Sequence, residues 1–412
     1  MNTIVPIVVW SCLLSISVSA GQIHERQSFI PTDGLGYEFG SSVDIDGNTA
    51  AVGDRLSNRV IIYERNNPSG SFVEKAILTP KNPDSSRGFG THVAIDGNTV
   101  VVGMAEENNA SGAVYVYSRP VSGWSDMNES AKLTASDAEP GDLLGVSVSV
   151  SGDMILAGAT KKKINGVSRG AVYVYLNDST WHDANQTLVL TESDRGEYGT
   201  SVSADEASGL MVVGSVNADS GSASACGAVY VYTLEFSPWL HALLRARLIG
   251  SDPFRLRALG LSVATNGATI VSGADGKNHQ GSLYVFSRPL SGEWTEVNET
   301  AVLTVSDAQT FSRFGNNVAI DDDWVAAGAM QQNNSRGTAY LFHRPAGGWQ
   351  DMNETHVLVP TDAAADDRFG SSVAMDKGQI FVGAERHGNT GAAYRFDVRP
   401  TVYPALMMYL LY

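Results

Sequence analysis

Three groups of residues in this chain have types and spacing that could do chemistry. Aspartates recur at matching places along it: Asp33, Asp137, Asp194, Asp252, Asp307 and Asp362, with Asp84 roughly equivalent. Gathered on one face they would form an acidic ring around a ligand. Taken singly, each would be an Asx turn or an acceptor for backbone N–H groups of the next segment. Trp124, Trp181, Trp239, Trp294 and Trp349 recur as regularly, with Phe72 in that place in the first segment. Such rings either pack between layers or, exposed beside polar groups, stack on sugars. Gly166-Val167-Ser168-Arg169-Gly170 has the form of a nucleophile elbow, but that motif needs a strand-to-helix turn, and this one lies in a loop leading to a strand. The eight histidines are scattered, with no His-Glu-x-x-His pair and no metal-ligand spacing. These residues assign no catalytic site, cofactor or metal.

The elements that must position these residues are written seven times. Each copy has an aromatic or Leu followed by Gly, a valine-rich stretch, and a second Gly 13 residues on, or 15 in the fourth copy. The pairs are Gly40 with Gly53, Gly90 with Gly103, Gly145 with Gly158, Gly199 with Gly214, Gly260 with Gly273, Gly315 with Gly328, and Gly370 with Gly383. The copies step by 50, 55, 54, 61, 55 and 55 residues. A strand-rich period near this length predicts an all-β, seven-bladed β-propeller of four-stranded blades. In the second copy, His92 to Ile95 alternates and meets the hairpin signal Asp96-Gly97-Asn98. Thr99 to Val102 reads as a strand buried on both faces, Gly112 to Tyr117 as a third strand and Ser130 to Thr134 as a fourth. The paired glycines are expected where neighbouring sheets approach too closely for a side chain.

The seventh copy stops after its third strand. Ser28-Phe29-Ile30-Pro31-Thr32-Asp33 matches Val357-Leu358-Val359-Pro360-Thr361-Asp362 in place relative to the next Phe-Gly. Residues 27–32 are therefore expected to pair with the third strand of copy seven and close the ring.

Residues 1–20 resemble a secretory signal, with an apolar stretch from Ile4 to Leu14 and Val18-Ser19-Ala20 as a cleavage site. Residues 21–400 then form the propeller, and 401–412 a hydrophobic tail too short to span a bilayer. After cleavage Cys226 is the only cysteine, so no internal disulfide is expected. Seven sequons, at Asn109, Asn128, Asn177, Asn185, Asn298, Asn333 and Asn353, predict a glycoprotein, secreted or held at the cell surface. The net charge of −16 argues against nucleic acid and anionic membranes as partners.

The Phe-Gly halves (Phe39-Gly40, Phe89-Gly90, Phe314-Gly315, Phe369-Gly370) and Gly-Ala halves (Gly158-Ala159, Gly273-Ala274, Gly328-Ala329, Gly383-Ala384) resemble FG-GAP repeats, the units of the β-propeller of integrin α subunits. The resemblance implies a monomeric adhesion or recognition module with an extracellular protein or glycan ligand and no catalytic activity. Many family members carry a calcium loop between the two halves. Here a hairpin stands in that space, and Asp44-Ile45-Asp46-Gly47 and Asp321-Asp322-Asp323 read as turn formers. The expected ligand surface is the loops between second and third strands, which differ most from copy to copy. Two alternatives stand: a carbohydrate-binding lectin, and a hydrolase or lyase using the axial pocket.

Overall fold

The computed structural model describes residues 20–34, 38–82, 88–192, 196–219, 225–235, 240–252, 258–274 and 280–398. The expected signal, Asp84, Asp194, Trp239, Arg255, Arg257 and the tail from 399 lie outside them.

Seven antiparallel sheets stand in a ring, and each is one repeat. Blade one is Phe39–Asp46, Thr49–Asp54, Arg59–Glu64 and Val73–Leu78, from the axis outward. Blade two is His92–Asp96, Thr99–Met104, Ala113–Ser118 and Ala131–Thr134. The second strands are buried along their whole length, or all but their first residue in blades two and six, as their apolar runs require. In blade four the first hairpin is replaced by a short helical turn, Glu206–Ser208, ended by left-handed Gly209. Those extra residues account for the longer interval between its glycines.

Blade seven is Phe369–Asp376, Gln379–Ala384 and Ala392–Asp397, completed by Gln27–Phe29. Ser28 stands opposite Tyr394 in an antiparallel register, as the matching of the chain ends predicts. The preceding strand, Gly21–His24, runs parallel to His356–Val359 on the rim of blade six. The first ten described residues thus stitch two blades together.

The core lies between blades rather than within one. Val60, Ile62 and Leu78 of blade one pack against Val93, Val100, Tyr115 and Trp124 of blade two. At the closing junction Phe29, Phe39, Tyr63 and Phe72 meet Phe381. The paired glycines set the spacing of these layers. A Cβ on Gly53 would stand 2.1 Å from the Gly90 carbonyl oxygen, and the same clash recurs around the ring to Gly383 against Gly40, at 1.9 Å. Each first glycine also has φ near +85° to +90°, a region that side chains disfavour.

A second tie runs around the rim. Residues just before a fourth strand lie parallel to the fourth strand of the preceding blade, as in Leu133 beside Ala184 and Leu303 beside Met352. Side chains fasten the contact. Asp126 Oδ1 accepts from the Ile77 N–H (2.8 Å), and Glu129 accepts from the Lys81 N–H (2.7 Å). Asp351 and Glu354 repeat this on Val302 and Ser306. Glu25 of the first described segment does the same to Thr361.

Candidate functional site

The axis of the ring is a polar channel. Side chains two, four and six residues after each first glycine turn toward it, and Ser42, Asp44, His92, Ser149, Ser203 and Asn317 are among those lining a cavity of about 300 Å³. Most are engaged. Ser42 Oγ accepts from the Val93 N–H (3.0 Å), Asp44 Oδ2 from Ile95 (2.8 Å) and Asp46 Oδ2 from Gly97 (2.7 Å). Asp376 Oδ2 accepts from Gly47 (2.6 Å), so blade seven gives to blade one what blade one gives to blade two. The exposed edge of each inner strand is satisfied in this way by its predecessor.

Two channel groups have shifted titration. Burial pushes the Asp44 carboxyl up to about 7, against bonds from the Ile95 and Ile45 N–H groups, while Asp46 and Asp376 add repulsion. Burial pushes His92 down to about 4. Because the folded-state value of Asp44 is raised, its proton stabilises the fold fully below pH 4, and that stabilisation is lost as the pH rises through 7. A shift of this size corresponds to at most about 4 kcal/mol, and the partial exposure of Asp44 in the channel reduces it to about 1–2 kcal/mol. Asp44→Asn, which keeps the acceptor for Ile95, should gain about that much over the native chain between pH 4 and pH 8. Parallel thermal melts check this, and a constant difference across that range would contradict it.

Of the two readings of the recurring aspartates, the bond to the next blade is the one the described residues show, and none of those described lines the channel cavity. Those whose partners are shown join one blade to the next. Asp137 accepts from the Tyr173 hydroxyl (2.8 Å), Asp307 from Tyr340 (2.7 Å) and Asp362 from Tyr394 (2.9 Å), while Asp33 pairs with Arg59. Asp252 is exposed. In blades three, six and seven the residue four after the second glycine completes this joint. Lys162 binds Asp142 (3.0 Å) and Asp137 (3.2 Å), Gln332 donates to the Asp307 carbonyl (2.7 Å), and His387 Nδ1 lies 3.0 Å from Asp367. Burial works against the charge on Lys162, but its two carboxylate partners hold its pKa above the usual lysine value. Another set of carboxylates, Asp46, Asp96, Asp321 and Asp376, recurs at the ends of the inner strands and accepts from glycine N–H groups of the next blade's first hairpin. Their signal in the sequence was an Asp six residues after the first glycine.

Trp124, Trp294 and Trp349 are buried, as is Phe72, and Trp181 is half-buried. The rings of Trp124, Trp294 and Trp349 pack between blades and offer no stacking surface, while Trp181 packs against the core between blades two and three. Four sequon asparagines, Asn128, Asn185, Asn298 and Asn353, lie exposed just ahead of fourth strands. Three of these accept from a threonine hydroxyl of the preceding blade: Thr79 (3.3 Å), Thr134 (3.1 Å) and Thr304 (2.8 Å). Asn298 faces Ile249 instead, across a shallow pocket that Arg247 also lines. Asn177 lies after the third strand of blade three, with its amide nitrogen donating to Asp153 (3.0 Å). Asn109 and Asn333 sit in left-handed turns between second and third strands.

A family model described as the FG-GAP repeat matches residues 72–117, 127–175, 297–342 and 352–396. These four stretches of the chain are FG-GAP repeats. The ring is consistent with the propeller of integrin α subunits, and the FG-GAP fold supports a binding or adhesion module in general. No curated protein matches. A solved structure titled "Structure of U3-55K" is similar in fold, with a TM-score of 0.58 over 91% of this chain and 100% of that one at 13% identity.

On the FG-GAP ring the blade-to-blade loops and the second-to-third-strand loops share one face. The former rest on the latter through repeated bonds: Gly141 N–H to Asn109 O (3.1 Å), Lys161 to Asp142 O (3.2 Å), Gln331 to Ser312 O (3.2 Å) and Arg386 to Asp367 O (3.2 Å). What the loops display differs. Blade three raises a small hairpin, Lys163–Ile164 with Val167–Ser168, which also places the Gly-x-Ser-x-Gly residues on an exposed turn rather than an elbow. Between blades seven and one, Glu38, Asp366, Glu385 and Arg386 line a cleft of about 600 Å³. Of the basic residues in the longest repeat step, Arg245 pairs with Glu235, and Arg247 donates to the Tyr230 hydroxyl (3.1 Å).

Proposed function

We propose that this ring is a non-catalytic recognition module of the extracellular space, and that it binds a protein through the face carrying these loops. The observation behind this reading is the contrast between anchoring and display. The bonds that hold the loops repeat from blade to blade, while the side chains they carry do not. Rigid support under varied polar loops suits recognition. The described polar groups beneath that face, including Lys162, Asp137, Asp362 and His387, are spent on joints between blades, where a catalytic group would be needed free. The buried tryptophans weigh against a lectin.

The reading is tested with chain secreted from a eukaryotic host. It predicts a mature N-terminus near residue 21, a mass that falls on deglycosylation, and capture of a specific protein by surface cross-linking. Exchanging only the outer loop residues 108–109, 163–168, 333–334 and 388–389 for Gly or Ser, which spares Glu107, Lys162, Gln332 and His387, should abolish capture while leaving the melting temperature within about 3 °C. Capture that survives the exchange, or saturable binding to a glycan array, would overturn it.

A further inference from the structure

The clasp along the rim is incomplete between blades four and five. At three other junctions a sequon asparagine takes part in it: Asn128, Asn185 and Asn353 accept from Thr79, Thr134 and Thr304 of the preceding blade. The backbone beside them pairs in parallel, Leu78 with Met127, Leu133 with Ala184 and Leu303 with Met352. Between blades four and five, Ile249 stands in the place of the threonine and offers no hydroxyl to Asn298. No strand pairing joins Leu248 to Val297 among the described residues. Blade four keeps a four-stranded sheet, where the sheets of blades two and five gain a fifth strand. A side-chain tie is left: Glu299 accepts from the Ser251 N–H (2.8 Å) and from its hydroxyl (2.5 Å).

The gap at this junction is a pocket of about 280 Å³ lined by Arg247, Ile249, Glu296, Val297 and Asn298. Its wall is amphipathic. Ile249 and Val297 are half-buried and apolar, and Val297 rests on the core between blades four and five. Arg247 and Glu296 flank them with opposite charges. The Arg247 side chain is held in place, with Nε donating to the Tyr230 hydroxyl (3.1 Å) and the guanidinium 5.7 Å from the centroid of that ring. Asn298 is exposed at the edge of the pocket.

We infer that this pocket seats the first sugar of an N-linked glycan on Asn298, and that the sugar replaces the missing part of the clasp. N-acetylglucosamine has the matching chemistry. Its apolar ring face and acetyl methyl suit Ile249 and Val297, and its hydroxyls and amide suit Arg247 and Glu296. The pocket is at the small end of the range for ligand sites, which fits one sugar residue rather than an oligosaccharide. The sugar is joined through its C1 to Asn298 Nδ2, transferred by the host's enzyme from a lipid diphosphate donor with loss of one amide proton. Once attached, it is seated with little further loss of translational freedom. At the other three junctions the clasp is complete without a sugar. The inference rests on the extracellular part of the reading above and gives one of its glycans a structural role.

The test uses the full chain secreted from a eukaryotic host, with site occupancy read by peptide mass mapping. Asn298 should be occupied. Asn298→Gln should lower the melting temperature by about 2 °C or more. Enzymatic trimming of every glycan to one sugar should leave the melting temperature within about 1 °C, and complete enzymatic removal should lower it. Complete removal leaves Asp in place of Asn, so Asn298→Gln is the independent arm. Ile249→Ala should lower the melting temperature of the native chain more than that of the Asn298→Gln chain, since only the former has a sugar against that wall. The inference is overturned if Asn298 is bare while other sequons are occupied, or if Asn298→Gln melts like the native chain. It is equally overturned if trimming to one sugar lowers the melting temperature as much as complete removal, or if the two Ile249→Ala shifts are equal. In each of these cases glycans elsewhere still mark a secreted chain, and the broader reading stands. If every sequon is bare, both fail.

Discussion

A chain lacking residues 21–33 is expected to lose cooperative unfolding as a monomer. The deletion removes the outer strand of blade seven and the parallel strand on blade six. It also removes Phe29, whose ring lies 4.8 Å from Tyr63, 5.3 Å from Phe381 and 6.4 Å from Phe72. The two amide bonds between Gln27 and the Phe72 backbone go with it, at 2.7 and 2.9 Å. Two sheet edges and the largest aromatic cluster of the closing junction would then face solvent. Phe29→Ala isolates the packing contribution and should cost about 3–5 kcal/mol. Ile30→Ala, at a side chain 49% exposed, should cost under about 0.5 kcal/mol. Denaturant unfolding separates the three. A truncated chain that melts like the full one would show that the ring closes by other means.

Gly328→Ala should be nearly as damaging, although it adds a single methyl group. Its Cβ would stand 1.9 Å from the Gly370 carbonyl oxygen and 3.1 Å from the Gly370 Cα. Both are backbone atoms, so no side chain can turn aside, and relief requires two blades to separate. The expected loss is about 3–5 kcal/mol, at or beyond the upper range for overpacking. Gly347→Ala is the matched control. Nothing lies within 4 Å of its Cβ and its backbone is not left-handed, so the change should be neutral within about 0.5 kcal/mol. Equal melting temperatures for the two variants would mean that the glycine contacts do not set the spacing of the blades.

The ring was legible in the sequence because its physical cause repeats in it. A glycine contact between blades must recur once per blade, and Gly53 with Gly90 is one of seven copies of the same requirement. The closure was legible because Phe29 occupies the place that Leu358 occupies one blade earlier. The aspartates were placed in the right loops, with a ligand-facing ring and a bond to the next blade both left open. Spacing located Asp307 after a fourth strand, yet its partner, the Tyr340 hydroxyl, lies 33 residues away on a different blade. The rim fastening was missed for the same reason. Asp126 and Glu129 read as a polar turn with a sequon, and their partners stand 49 and 48 residues earlier.

Side chains of one inner strand bond the backbone of the next all around the axis, as an acceptor at Ser42 and as donors at Ser147, Ser201 and Ser262, until Asp376 meets Gly47. A run of fewer blades would therefore begin with a strand whose backbone has lost these partners and finish with a row of side chains left without theirs. In the intact chain the seventh link brings those two ends together, and neither row is left over.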